Sequence, residues 1–229
     1  MAVRAAKSER TRPEPRAVGQ WGAREAGILE VASRLYAARG YERVSMADVA
    51  AAAGLSEGTL YNYFRDKSDL VLSVGLTSLE RNIAGAEAIT DTATSLEDGL
   101  RQLIAHQIRD MVSAPELYRI WLREVKAAEG YGKSRARDAL RRFSGQFLLF
   151  LDRWHAPTAP LSLAPPVMRD MFYGGIEQIA WTAIVQRQKR TMDIDEMAAK
   201  LADAYILAFG LTAARRRHSR KLTKSSPAD

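Results

Sequence analysis

SMADVAAAAGLSEGTLYNYFRDK, residues 45–67, is the stretch whose reading decides the fold. Ser45 followed three residues later by Asp48 has the form of an N-cap with a returning acid, so it opens a short helix. Gly54 ends that helix at Ala53 after two turns, because Gly tolerates the positive φ a tight stop requires. Ser56 then caps a second short helix, predicted from Glu57 to about Phe64. Ala50 and Ala53 are small enough for the two helices to cross closely, and Leu55 plugs the gap between them. Leu60 and Phe64, at i and i+4, turn back to the core. The pair is a helix-turn-helix, with Glu57, Gly58, Thr59, Tyr61, Asn62 and Tyr63 on its outer faces.

Helical periodicity extends in both directions. Upstream, Ile28, Leu29, Ala32, Leu35 and Tyr36 form one face of a first helix that Gly40 stops. Downstream, Asp66 or Ser68 caps a long fourth helix carrying Leu70, Val71, Val74 and Leu79. Further helices are expected near 95–113, 116–130, 135–155, 166–190 and 194–216, with Pro115 and Pro165/Pro166 in first turns. Residues 155–166 are the clear loop of the body, and no segment alternates with the period of two that a strand needs. The expected fold class is all-α.

Composition narrows the function. The 229 residues are 47% hydrophobic and 27% charged, as in ordinary globular proteins of one or two domains. The absence of Cys excludes disulfides, thiolate metal sites and cysteine nucleophiles. His106, His155 and His218 are too scattered for a His-built metal site, so no metal and no cofactor are expected. Apolar runs fall short of the ~20 residues of a membrane span. Residues 1–20 lack the apolar core of a secretory signal, which predicts a cytoplasmic protein with no membrane partner. Net charge is +7, and it sits at the ends. Residues 1–24 carry six Lys/Arg against two Asp/Glu, and residues 215–229 carry six against one. Residues 25–72 are net −2 and residues 73–214 are neutral. Basic tails of this kind meet a polyanion such as DNA, or else serve only as solubilising ends.

The outer face of the second short helix suits double-stranded DNA. Gly58 and Thr59 permit close approach of the helix N-terminus to phosphate. Thr59 can meet a thymine methyl or a base edge, and Asn62 an adenine edge. Tyr61 and Tyr63 can bond backbone phosphates, and Lys67 can neutralise one. Ser45 and Ser56, the two caps, complete the candidate contact set. A short helix bearing tyrosines is also what ordinary helical packing produces, so Tyr61 alone would be a core or rim residue.

The order Ile28-Leu29, Ala32, Gly40-Tyr41, Ser45-Met46, Val49-Ala50, Ala53-Gly54-Leu55-Ser56, Gly58 to Phe64, Lys67 and Leu70 resembles the N-terminal domain of TetR (tetracycline-repressor-like) transcriptional regulators. The likeness covers roughly 50 residues, from Ile28 to about Val74. It departs at Asn62, where many members have His. The resemblance implies about nine helices, a homodimer, and a C-terminal pocket whose ligand controls DNA binding. The implied organisation is a basic disordered arm over 1–20, a helix-turn-helix domain over 21–68, an effector-binding and dimerisation domain over 69–216, and a basic disordered tail over 217–229. Since residues 25–72 are net acidic, Arg4, Lys7, Arg10, Arg12 and Arg16 of the arm are expected to supply much of the attraction to DNA.

Beyond the head, three apolar stripes read as core or as pocket. They run through Leu140 to Trp154, Met168 to Ile179, and Ile194 to Ala208. Small residues in the last two helices, Gly174, Gly175, Ala180, Ala198, Ala202 and Ala208, suit a subunit interface. Candidate effector-binding residues are aromatics beside isolated polar groups: Trp121 with Glu124, Phe147 and Phe150 with Trp154, and Tyr173, Glu177 and Trp181 along one helix face. Such a site suits a small hydrophobic or amphipathic molecule. An enzyme is not expected: no phosphate-binding loop, nucleophile turn or metal spacing occurs, and His106 with Asp110 at i, i+4 reads as a helix-surface pair. The competing reading is an architectural DNA-binding protein without an effector, against which stands the large neutral body.

Overall fold

The computed structural model describes residues 22–126, 135–156, 159–186 and 192–213. Among these residues the regular elements are all helical: α1 (Ala23–Arg39), α2 (Met46–Ala52), α3 (Glu57–Tyr61), α4 (Lys67–Thr92), α5 (Leu96–Ser113), α6 (Pro115–Ile120), a π-helical segment (Trp121–Lys126), α7 (Arg135–Trp154), α8 (Pro165–Gln186) and α9 (Ile194–Phe209). The all-α class and the nine α-helices agree with the sequence reading.

Two hydrophobic cores organise them. The head core gathers Ile28, Leu29 and Tyr36 of α1, Val49 of α2, Leu60 and Phe64 from α3 and its end, and Leu70, Val71 and Val74 of α4. The body core joins Leu100, Ile104 and Ile108 of α5 to Phe147 and Phe150 of α7, Phe172 and Ile176 of α8, and Phe209 of α9. Phe147 stacks on Phe172 with centroids 4.3 Å apart. Each such fully buried side chain contributes about 1.5–3 kcal/mol. The 26 residues of α4 span about 39 Å at 1.5 Å per residue, enough to reach from one core into the other. Its N-cap is Asp66, whose carboxylate accepts from the Asp69 N–H at 2.8 Å, which settles the choice between Asp66 and Ser68. α5 packs against α4, α8 and α9 and forms the middle of the body.

Two of the following helix ends depart from expectation, and the end expected at 190 lies outside the described residues. The helix expected over 116–130 is α6 followed by a π-helical segment to Lys126, with residues 127–134 outside the described residues. The helix expected to 190 is described to Gln186. The last helix, expected to 216, stops at Phe209. Gly210 takes φ 68°, ψ 34°, and its N–H turns to the Ile206 and Leu207 carbonyls. A left-handed glycine terminates a helix even where apolar residues continue its register, as Leu211 does here. The arm over 1–20 and the tail over 217–229 lie outside the described residues.

Candidate nucleic-acid interface and interior cavity

α2 and α3 are held by local bonds that their sequence encodes. The Asp48 N–H donates to Ser45 Oγ at 3.1 Å, and Asp48 Oδ2 accepts from the Ser45 N–H at 2.7 Å. The Ser45 hydroxyl, which donates to Asp48 Oδ2 at 2.5 Å, and then the Ser45 N–H hold the Asp48 carboxyl below its ordinary pKa, with Arg39 and Lys67 adding to the effect. Gly54 has φ 66°, and the Leu55 N–H returns to the Ala50 carbonyl at 2.9 Å, closing the turn. Ser56 Oγ accepts from the Thr59 N–H at 3.1 Å and lies 2.8 Å from the Thr59 hydroxyl.

The candidate contact residues thus gather on one end of the head. Ser45, Ser56, Gly58, Tyr61 and Asn62 are exposed, whereas Thr59, Tyr63 and Lys67 are half-buried. Tyr63 leans on Phe64 with ring centroids 6.5 Å apart. Lys67 opens α4 and sets its Nζ 4.1 Å above the Tyr41 ring, a cation–π contact that fixes where its charge is presented. Tyr41, quoted above only for the family resemblance, was not among the candidate contact residues, since it meets Lys67 only through the fold.

Between head and body lies a cavity of about 340 Å³, walled by α4, α5, α6, the π-helical segment, α7 and α8. Its volume falls in the range of small-molecule sites. Of the eight residues proposed from sequence, Trp121, Tyr173 and Glu177 line it. The other five lie elsewhere. Phe147 and Phe150 are fully buried in the body core, where α5 and α8 close over them. Trp154 donates its indole N–H to the Thr90 carbonyl at 3.2 Å. Trp181 stands edge-on to Tyr118 behind the wall, centroids 6.2 Å apart. Glu124 sits 3.9 Å from Arg123.

Asn82, Gln107, Tyr118 and Phe143 line the cavity without having been singled out from sequence. Asn82 and Gln107 carried a legible signal, being polar residues among the buried positions of α4 and α5. Tyr118 is pushed above its ordinary pKa, first by burial and then by the Glu177 charge beside it. Tyr173 is likewise raised by burial, and its hydroxyl donates to the Phe143 carbonyl at 3.1 Å. Both phenols are therefore neutral donors in the wall.

Comparison with known proteins gives a consistent picture. Residues 28–74 match the family described as bacterial regulatory proteins, tetR family. The chain is 42% identical over 60 residues to the HTH-type transcriptional regulator AcrR of Shigella flexneri, a match covering 26% of this chain and 27% of that protein. It is 32% identical over 81 residues to the HTH-type transcriptional repressor KstR2 of Mycolicibacterium smegmatis, covering 35% and 40%. The sequence likeness therefore spans less than half of these relatives. In fold the likeness is broader. The transcriptional regulator FadR from Bacillus subtilis, solved in complex with stearoyl-CoA, superposes with a TM-score of 0.65 over 80% of this chain and 98% of its own, at 18% identity. Over residues 28–74 the chain thus carries the helix-turn-helix domain of the tetR family of bacterial regulatory proteins, set on a helical body of matching fold.

Proposed function

We propose that this chain is a ligand-responsive transcriptional repressor of the cytoplasm. As a homodimer it reads a palindromic DNA operator, and a small, mainly apolar effector in the cavity releases it. One observation carries the reading: Val71, Val74 and Ile120 belong to the head core and also line the cavity. Whatever fills the cavity therefore touches the residues on which α1 and α4 rest. A ligand that fits one placement of the head better than another shifts the population toward it. A coupling of about 1–3 kcal/mol changes DNA affinity 5- to 150-fold. The long α4, which starts at Lys67 beside the recognition helix and ends in the body, is the candidate lever.

On the DNA side, α3 enters the major groove, Thr59 and Asn62 meet base edges, and Tyr61, Tyr63 and Lys67 meet phosphates. Arg4, Lys7, Arg10, Arg12 and Arg16, outside the described residues, add phosphate contacts. Support for ligand-controlled repression comes from the relatives, one named a repressor and one solved with a bound acyl-CoA.

The test is a gel shift against genomic fragments, followed by a ligand screen on the selected operator. A repressor of this kind gives a discrete, competitor-resistant band that a cavity ligand removes. A ladder of bands that no ligand alters assigns the chain instead to architectural DNA binding.

A further inference from the structure

Asn82 lines the cavity from α4 at 3% exposure, yet its Oδ1 has no hydrogen-bond partner among the described residues. A buried acceptor in that state is rare and costly in a folded protein. The nearest ring does not relieve it. His106 reaches across from α5, but its Nε2 lies 3.1 Å from the Asn82 backbone carbonyl, not the carboxamide. That contact sets α4 and α5 level with one another here, and Gln107, next to His106, brings a second carboxamide to the cavity wall at 6% exposure. Ser78, one turn before Asn82 on α4, adds a half-buried hydroxyl to the lining. The α4 and α5 walls thus share a neutral polar patch. Asp110 and Asp170, which also line the cavity, are exposed, and among the described residues no Lys, Arg or His lines it.

We propose that the cavity takes a neutral amphiphile whose hydroxyl docks on the Asn82 carboxamide, with Gln107 and Ser78 beside it, in preference to an ether or a carboxylate of the same length. This rests on the reading of the cavity as the effector site. Asn82 Oδ1 is shielded from solvent, but the terminal torsion of an asparagine is broad and two-fold. Half a turn exchanges the oxygen with the amide nitrogen, so the group can accept from a ligand or donate to it. A hydroxyl both donates and accepts, which suits either orientation and supplies the donor that Oδ1 lacks. An ether accepts only and leaves the oxygen unmatched. A carboxylate also accepts only, and its charge would lose water with no cation on the described wall to replace it. The alkyl or aryl body lies against Val74, Leu79, Met111 and Phe143.

The experiment titrates the full-length protein at neutral pH with n-octanol, its isomer heptyl methyl ether, and octanoate, read by tryptophan fluorescence. Trp121 lines the cavity, so occupancy is visible. Octanol is expected to bind about three- to tenfold tighter than the ether, the scale of one neutral hydrogen bond, with octanoate weakest. Asn82→Leu, close in size and without the carboxamide, should erase the difference between octanol and ether. Each comparison is a ratio within one protein, so a change of cavity shape that weakens both isomers alike does not imitate this effect. Asn82→Ala repeats the comparison should the leucine variant not fold. A parent that binds the ether as tightly as octanol overturns the proposal. So does octanoate binding tightest, or a difference that survives removal of the carboxamide. The operator gel shift separates the two readings. If octanol shows the expected preference but no ligand alters DNA binding, the hydroxyl site stands and the repressor reading falls. If some compound releases DNA while octanol and the ether bind alike, the hydroxyl site falls and the repressor reading stands.

Discussion

Gly75 of α4 lies against the indole of Trp121: a Cβ built on the glycine would meet the ring's Cε3 at 2.5 Å and Cζ3 at 2.7 Å. The absence of a side chain at Gly75 therefore lets the π-helical segment close on α4 and shapes one wall of the cavity. Gly75→Ala is expected to push the indole aside, cost about 1–3 kcal/mol as an overpacking change, and shift the emission of Trp121. Gly27, in α1, has open space around its Cβ position. Gly27→Ala should instead stabilise by about 0.5–1 kcal/mol through helix propensity. Denaturant midpoints and emission spectra of the two variants check this, and equal stabilisation of both would remove the steric role of Gly75.

Lys67 and the outer face of α3 should affect DNA binding in different ways. Lys67→Ala, which removes the charge held over Tyr41, is expected to weaken binding to all sequences. It should also flatten the plot of log affinity against log salt by about 0.9. Thr59→Ala or Asn62→Ala should relax preference at one or two base positions and leave that slope alone. Binding to a selected operator, measured across salt concentrations, distinguishes them. If all three variants bind like the parent, α3 is not the reader.

The arm admits a parallel test. Deleting residues 1–20 should leave thermal unfolding unchanged, because the segment has no apolar period with which to pack. It should flatten the salt slope by about 0.9 for each phosphate that the arm no longer neutralises. An unaltered slope would mark the arm as a solubilising end.

What the sequence made legible was local. Ser45 with Asp48, the turn at Gly54, and Ser56 with Thr59 are all bonds between residues three to five apart, so the helix-turn-helix could be placed from sequence, except that its second helix, expected to about Phe64, ends at Tyr61. The cavity depends on which faces of six elements meet, and no periodicity states that. Phe147 and Phe150 have the same spacing and chemistry as a ligand-binding stripe, yet α8 packs over them and α4 leaves space elsewhere. Trp121, Tyr173 and Glu177 were reachable because each pairs an apolar body with a polar neighbour on a lining helix. Gly210 is a stop signal present in the sequence, but the helix expected over 194–216 ran through it.

Acid should weaken the start of α5. Asp98 accepts from the Thr94 N–H at 3.0 Å, from the Thr94 hydroxyl at 2.8 Å, and from Arg101, with the backbone bond weighing most. Its pKa is pulled down to about 2. A carboxyl lowered on folding adds stability above its unfolded pKa near 4, and loses it as pH falls through the folded value. Asp98→Asn should therefore lower the melting temperature at pH 6, with the difference from the parent shrinking toward pH 2. A difference independent of pH would show that the carboxylate's charge plays no part.

Homodimerisation is predicted through the outer faces of α8 and α9. Val167, Met171 and Val185 are each about half exposed, at spacings of four and fourteen residues that bring them onto one side of α8. Leu207 on α9 is 84% exposed, flanked by the exposed small residues Ala204 and Ala208. Single exposed apolar residues are ordinary, but large ones aligned on the two closing helices beside small ones suit a close helical interface. Dimerisation also answers a geometric need: one recognition helix reads too few base pairs, whereas a two-fold pair reads half-sites 34–36 Å apart, or multiples of that distance. A stable interface should bury at least ~800 Å² per subunit. Leu207→Glu tests this cleanly, because the side chain has almost no burial within one chain to lose, so folding stability should stay within about 0.5 kcal/mol. Two charges brought together across the axis should yield monomers that no longer hold the operator, and Met171→Glu should do the same from α8. Sedimentation velocity at micromolar concentration, with a parallel gel shift, reads both outcomes. A parent protein that sediments as a monomer, or a Leu207→Glu dimer as tight as the parent, would move the interface off these helices.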